Sequence, residues 1–261
     1  MRNTQSTSPG KVAVAVMPTG TSLPAREDVL GQAIPFDRAR WLPLLPGPDW
    51  WPAELDDCPT VAARPRVDRS TVFGIARRSD TAEGRRHLLT AALVWGTGTK
   101  AQSVTRRARI FAESAPREID ARLEAVLSVL REEGAVAAYY AFNNSHRIKF
   151  LGPAFFTKVL YFAGHDQCVG AWRPLILDRF VALALRAADT GEKWPAGGWT
   201  TPCYGRYLSL AHDRTRRAGA LPDQMEAALF AHGRQLARLR SAAASVVGDV
   251  PVRALAGVDV P

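Results

Sequence analysis

Pro43, Pro46, Pro48 and Pro52 fall within ten positions, and they divide the chain in two. A proline inside a helix removes a backbone donor and clashes with the preceding turn, so no long helix forms there. Prolines stay dense from Ser22 to about Pro65, yet Trp41, Trp50 and Trp51 lie among them. Large apolar rings argue for a packed segment and against a free linker. Residues 1–66 are therefore read as a proline-rich, partly irregular N-terminal arm lying on a main domain. Residues 1–10 are polar and expected to be disordered, and Val12–Met17 is the one strand-like alternation.

Beyond Val67 prolines thin out and apolar residues recur at helical spacing. Asp68 or Ser70 suits an N-cap. Thr81 to Trp95 carries Leu88, Leu89, Ala92 and Leu93 on one stripe and meets Gly96 and Gly98 at its end. Ala101–Ala112 is basic, with Arg106, Arg107 and Arg109, and fits either a solvated helix face or a phosphate contact. Pro116–Glu133 places Ile119, Leu123, Val126, Leu127 and Leu130 together and stops at Gly134. Further helices are expected over Ala135–Asn143, Pro153–Ala163, Arg179–Ala188, Thr201–His212 and Leu221 to about Val247. The fold class is mainly α, with a helical domain over residues 67–250.

The charge balance is 34 − 25 = +9 over 261 residues, and only five of the basic residues are lysines. A surplus of that size favours a polyanionic partner, and arginine forks onto phosphate in a bidentate way. Cys58, Cys168 and Cys203 are scattered, which argues against a disulfide framework and fits a reducing cytoplasm. There is no C-x-x-C pair, and His146 and His165 have no third ligand at helical spacing, so no metal or cofactor is expected. No apolar run is long enough to span a membrane, and the N-terminus lacks a signal-peptide core. A cytoplasmic, nucleoid-associated monomer is the expectation.

The most informative segment is Lys149-Phe-Leu-Gly-Pro-Ala-Phe-Phe-Thr-Lys158, followed by Val159–Ala163. A tight turn is expected at Leu151–Pro153, and Pro153 opens a helix at the position where its missing N–H costs nothing. Free N–H groups at such a helix start can face a phosphate. Further along the same helix, Lys158 projects among Phe155, Phe156, Leu160, Tyr161 and Phe162. One reading is a snorkelling stem with its ammonium in water. The other is a nucleophilic amine, because apolar surroundings lower a lysine pKa and raise its neutral fraction. Twenty positions later, Asp178 stands directly before an apolar helix. It suits an N-cap, and a capping carboxylate keeps a second oxygen for chemistry.

Leu151-Gly-Pro-Ala-Phe-Phe-Thr-Lys158 with Leu175-Ile-Leu-Asp178 resembles the helix-hairpin-helix DNA glycosylase superfamily, and within it the 8-oxoguanine DNA glycosylase branch. There a Thr-Lys pair opens the second helix of the hairpin and an aspartate follows at another helix start. Thr157, Lys158 and Asp178 match that pattern over residues 148–186. Ala154 and Phe156 stand where such hairpins carry glycines, and Arg179 and Phe180 follow the aspartate in place of the usual nearby histidine. The cysteines of the iron–sulfur branch are absent.

The resemblance implies a helix-hairpin-helix glycosylase-like helical domain acting on double-stranded DNA, with Lys158 and Asp178 catalytic. A nucleotide would be extruded into a pocket, and Lys158 would displace an oxidised purine through a Schiff base that permits strand cleavage. Gly152, Ala154, Phe156 and Thr157 are the hairpin positions expected at the DNA, with Arg147 and Arg173 on phosphates. Trp95, Trp172, Trp199, Tyr204, Tyr207 and Phe230 are aromatic candidates for the base pocket. Asn143-Asn144 fits a gap-filling role or simply a helix-ending turn. Three rivals remain: a non-catalytic DNA-binding module of the same fold, a glycosylase directed at modified phage DNA, and an unrelated helical protein with a basic surface.

Overall fold

The computed structural model describes residues 22–166, 172–188 and 194–248, with side chains to residue 243. The strand-like stretch Val12–Met17, the polar start and Cys168 lie outside the described residues.

Residues 22–66 contain α1 (Arg26–Leu30), β1 (Ile34–Pro35), α2 (Arg38–Trp41), three short 3-10 turns, and β2 (Thr60–Val61). Strand β3 (Arg64–Val67) pairs antiparallel with both, so the small sheet runs β1-β3-β2. The prolines prevent long helices, and the tryptophans bury what short elements cannot. Trp41 and Trp50 are fully enclosed, and the Trp50 ring meets Phe111 edge-on at 5.3 Å.

The rest is helical: α3 (Arg69–Ala76), α4 (Ala82–Thr97), α5 (Ala101–Ala112), α6 (Pro116–Glu132), α7 (Ala135–Asn143), α8 (Pro153–Gly164), α9 (Arg179–Ala187), α10 (Thr201–Ala218) and α11 (Pro222–Gly248). Asp68 caps α3 and Thr81 caps α4, each accepting a backbone N–H three residues on. The expected stripe of α6 is buried in full. Helix α10 runs past His212 to Gly219, whose left-handed φ of 64° ends it. The centre of the core is α8, packed between α3, α4, α6 and α7. Arg85 forks onto Asp120 at 3.0 and 3.1 Å and ties α4 to α6.

The turn ahead of α8 is longer than the sequence suggests. Residues 144–152 connect α7 to α8, and the chain reverses at Phe150, whose φ of 65° lies in the left-handed region. Leu151 is then buried and Gly152 is left exposed at the helix start. The Arg109 guanidinium lies 3.9 Å from the Phe150 ring centroid, which holds the strained residue against α5.

Candidate active site

Long helical side chains lean back toward the N-terminus of their helix. Lys158 does so, and its Nζ donates to the Ala154 carbonyl at 2.6 Å. The residue is only 4% exposed. Its Nζ lies 5.1 Å from the Phe155 ring and 6.0 Å from the Trp95 ring. The snorkelling alternative fails, because the ammonium does not reach bulk water.

Asp178 divides its two oxygens between two tasks. Oδ1 accepts the N–H groups of Phe180 at 2.9 Å and Val181 at 3.1 Å, which caps α9. Oδ2 faces Lys158 Nζ at 3.9 Å, an ion-pair distance too long for a direct hydrogen bond. Burial pushes the Lys158 amine below the ordinary lysine range. Asp178 and Glu226 act against that shift, while Arg69 and Arg107 add to it.

Asp178 is held in place by an extended segment, residues 172–178, whose backbone is satisfied by side chains. The Tyr204 hydroxyl donates to the Leu175 carbonyl at 2.9 Å and accepts the Leu175 N–H at 3.1 Å. The Tyr207 hydroxyl donates to the Ile176 carbonyl at 3.1 Å. Thr157 Oγ1 accepts the Leu177 N–H at 3.1 Å and donates to Pro153 at 2.6 Å. Thr157 therefore registers the aspartate against the lysine, and its buried hydroxyl is committed to protein partners.

A second layer lies behind this pair, and no sequence motif marks it. Arg69 is fully buried, with Nη1 2.6 Å from Glu226 Oε2, and Nε and Nη2 donating to Gln32 Oε1 at 2.9 and 2.7 Å. Its guanidinium carbon lies 5.1 Å from both the Trp95 and the Tyr161 rings. The one available hint is compositional: Glu226 is an acid beside Met225 on the buried side of α11. Gly96 was legible only as a helix end, whereas it sits against the lysine stem.

A cavity of about 800 Å³ lies between α11 and the α1–β1 connection, lined by Gln32, Ala227, Phe230 and Ala231 among others. Two of its lining residues contact neighbours of the lysine–aspartate pair. Gln32 accepts from Trp95 Nε1 at 3.1 Å, and Phe230 meets Phe180, two residues past Asp178, at 5.5 Å. A smaller cavity, about 320 Å³, is lined by Arg107, Asn143, Gly152, Ala154, Trp199 and Thr200, with others.

The remaining expected positions fall into three groups. Gly152 and Ala154 reach the surface at the start of α8, and Arg147 is exposed. Phe156 points inward and stacks on Phe142 at 5.2 Å. Tyr204 and Tyr207 are enclosed and bonded to backbone, so neither ring faces a cavity described above. The Trp95 ring lies 6.0 Å from Lys158 Nζ, Phe230 lines the cavity beside Gln32, Trp199 lines the smaller cavity, and Trp172 is half-buried and lines neither. The Arg173 guanidinium donates to the His165 carbonyl at 3.1 Å. His165 is buried and held neutral, its pKa pushed by desolvation down to about 3.

Among the described residues no cluster of three or more His, Cys, Asp or Glu side chains could hold a metal, and no helix is long and apolar enough to cross a membrane. Comparisons with curated proteins and with solved structures found no match. Residues 27–230 match the family model described as "Putative 8-oxoguanine DNA glycosylase OGG-like protein", and with most of its length so covered the chain belongs to this OGG-like DNA glycosylase family.

Proposed function

We propose that the protein is a DNA glycosylase with lyase activity that removes an oxidised purine of the 8-oxoguanine type, with Lys158 as nucleophile. The observation that supports this most is the enclosed Lys158 amine held 3.9 Å from the free oxygen of Asp178. An ordinary lysine is almost wholly protonated at neutral pH, whereas burial raises the neutral share.

The target nucleotide leaves the stack and its sugar comes within reach of Lys158. The Lys158 nitrogen lone pair forms a bond to C1′, and the C1′–N9 bond breaks with its electrons going to the base, which takes up a proton. Asp178 Oδ2 stabilises the positive charge developing on the sugar. Opening of the sugar ring then gives a protonated Schiff base. Loss of a C2′ proton expels the 3′ phosphate, which is strand cleavage by β-elimination, and water releases Lys158. The exposed start of α8 with Arg107 and Arg147 offers donors and charge for the DNA backbone.

The test is borohydride reduction on duplexes that each carry one damaged base. A covalent protein–DNA adduct is expected with the unmodified protein and none with Lys158→Gln. Duplex binding with no base release and no adduct overturns the enzymatic reading and favours a non-catalytic module of the same fold.

A further inference from the structure

We propose that Arg107 is a further catalytic residue, one that acts in strand cleavage: its guanidinium receives the phosphate on the 3′ side of the target sugar and takes up the charge that this phosphate gains as it leaves. The inference rests on the reading of Lys158 as nucleophile and assigns a residue to the second half of that reaction.

Helix α5 buries Val104, Ala108 and Phe111, and Arg107 is half-buried on the same helix. Its guanidinium carbon lies 4.1 Å from the centroid of the Phe155 ring, and Lys158 Nζ lies 5.1 Å from the same centroid. Two cations thus share one ring, and the Arg107 charge weighs against a protonated Lys158. Burial and the neighbouring Arg106 also push the Arg107 guanidinium below its ordinary range. The buried arginines Arg69 and Arg85 each meet a carboxylate. Arg107 makes no hydrogen bond or ion pair with any described residue. A partly desolvated guanidinium with all its donors free is costly, and an anion is the ligand that offsets the cost.

Position and chemistry together name the anion. Arg107 lines the cavity of about 320 Å³ together with Ala154 and Phe155. These are residues that the Lys158 amine itself meets, through the Ala154 carbonyl at 2.6 Å and the Phe155 ring. Asn143 lines the same cavity, and its carboxamide has no partner among the described residues. A sugar joined to Lys158 through C1′ carries its 3′ phosphate a few bonds away. While the base departs, no phosphate changes its charge. In the elimination one does. The C2′ proton passes to water, the electrons of that bond form C2′=C3′, and the C3′–O bond breaks with its electrons going to the phosphate oxygen. A singly charged diester becomes a monoester of about −1.5 to −2 at neutral pH. Only an interaction that strengthens in the transition state accelerates a step, and a free guanidinium at a phosphate that is gaining charge is such an interaction.

The test uses a duplex with one abasic site, a single turnover and saturating protein, so that affinity does not enter. The rate of borohydride trapping reports Schiff-base formation, and the rate of strand scission without borohydride reports elimination. Arg107→Gln should lower the ratio of scission to trapping at least about tenfold, so that uncleaved adduct accumulates, and Arg107→Lys should restore part of it. A methylphosphonate on the 3′ side lowers the charge of the leaving group by one. With it, Arg107→Gln and the unmodified protein should differ by less than about threefold, whereas a methylphosphonate on the 5′ side should leave the full difference. Should the glutamine variant fail to fold, the lysine variant is read in its place, with a smaller drop that the 3′ methylphosphonate again removes. An unchanged ratio, or a difference that only the 5′ methylphosphonate erases, overturns the inference. Trapping and scission that proceed without regard to Arg107 sink only this inference, and absence of trapping by the unmodified protein sinks the reading beneath it.

Discussion

Gly96 and Lys158 are packed so closely that a β-carbon on Gly96 would stand 2.8 Å from Lys158 Cδ. The same carbon would stand 2.8 Å from Phe155 Cε1 and 2.9 Å from Lys158 Cε, so side chains on both sides must shift to admit it. Gly96→Ala is expected to displace the lysine stem and cut Schiff-base formation by at least about tenfold. Overpacking should cost about 1–3 kcal/mol, read as a lowered Tm. Normal trapping rates in a folded Gly96→Ala protein would show that the amine tolerates a different path.

Asp178 combines a cap with a charge, and two substitutions separate them. Asn caps almost as well as Asp, so Asp178→Asn should leave Tm nearly unchanged, whereas Asp178→Ala should cost about 1 kcal/mol. Both should slow base release by about 10² or more, because the developing sugar cation loses its counter-charge. Asp178 also favours the protonated amine. Trapping by the unmodified protein should thus rise with pH and level off below the ordinary lysine value of about 10.4. In Asp178→Asn the levelling should move to lower pH.

Lys158 acts against stability. Its folded pKa is lowered by burial, so the unfolded chain binds the proton more readily. The penalty is present at neutral pH and fades as pH rises from the lowered folded value toward about 10.4. Lys158→Met should abolish trapping and raise stability by about 1–2 kcal/mol at pH 7, with the gain shrinking in alkaline buffer. Denaturant titrations at several pH values provide the check.

Arg69 and Glu226 are buried together at 2.6 Å, with side-chain exposures of 0% and 1%. Arg69→Met alone strands a carboxylate and should cost about 3–5 kcal/mol. Combined with Glu226→Leu the loss should be much smaller, because neither charge is then left unpaired. Chemical denaturation of the single and double variants measures the difference, and additive losses would disprove the coupling.

Arg106 and Arg147 are both exposed, and neither has a carboxylate partner among the described residues. If they face DNA phosphates, each substitution by Ala should reduce the slope of log affinity against log salt by about one. Binding of an undamaged duplex at several salt concentrations reads that slope.

The helices were written in local sequence. Apolar stripes, caps such as Asp68 and Thr81, and Pro153 at the start of α8 act within a few residues, so periodicity reveals them. Lys158 and Asp178 were also legible, since a lysine on an apolar helix and an acid before another are local oddities. Their approach to 3.9 Å was not, because it depends on Thr157, Tyr204 and Tyr207 holding an extended segment whose own residues carry no period. Arg69, Gln32 and Glu226 meet from three distant stretches of chain, and a guanidinium met in sequence looks like any surface cation. The chain alone fixed which residues can do the chemistry; only the packed interior, where desolvation and unshared donors carry their full cost, decided which of them stand together.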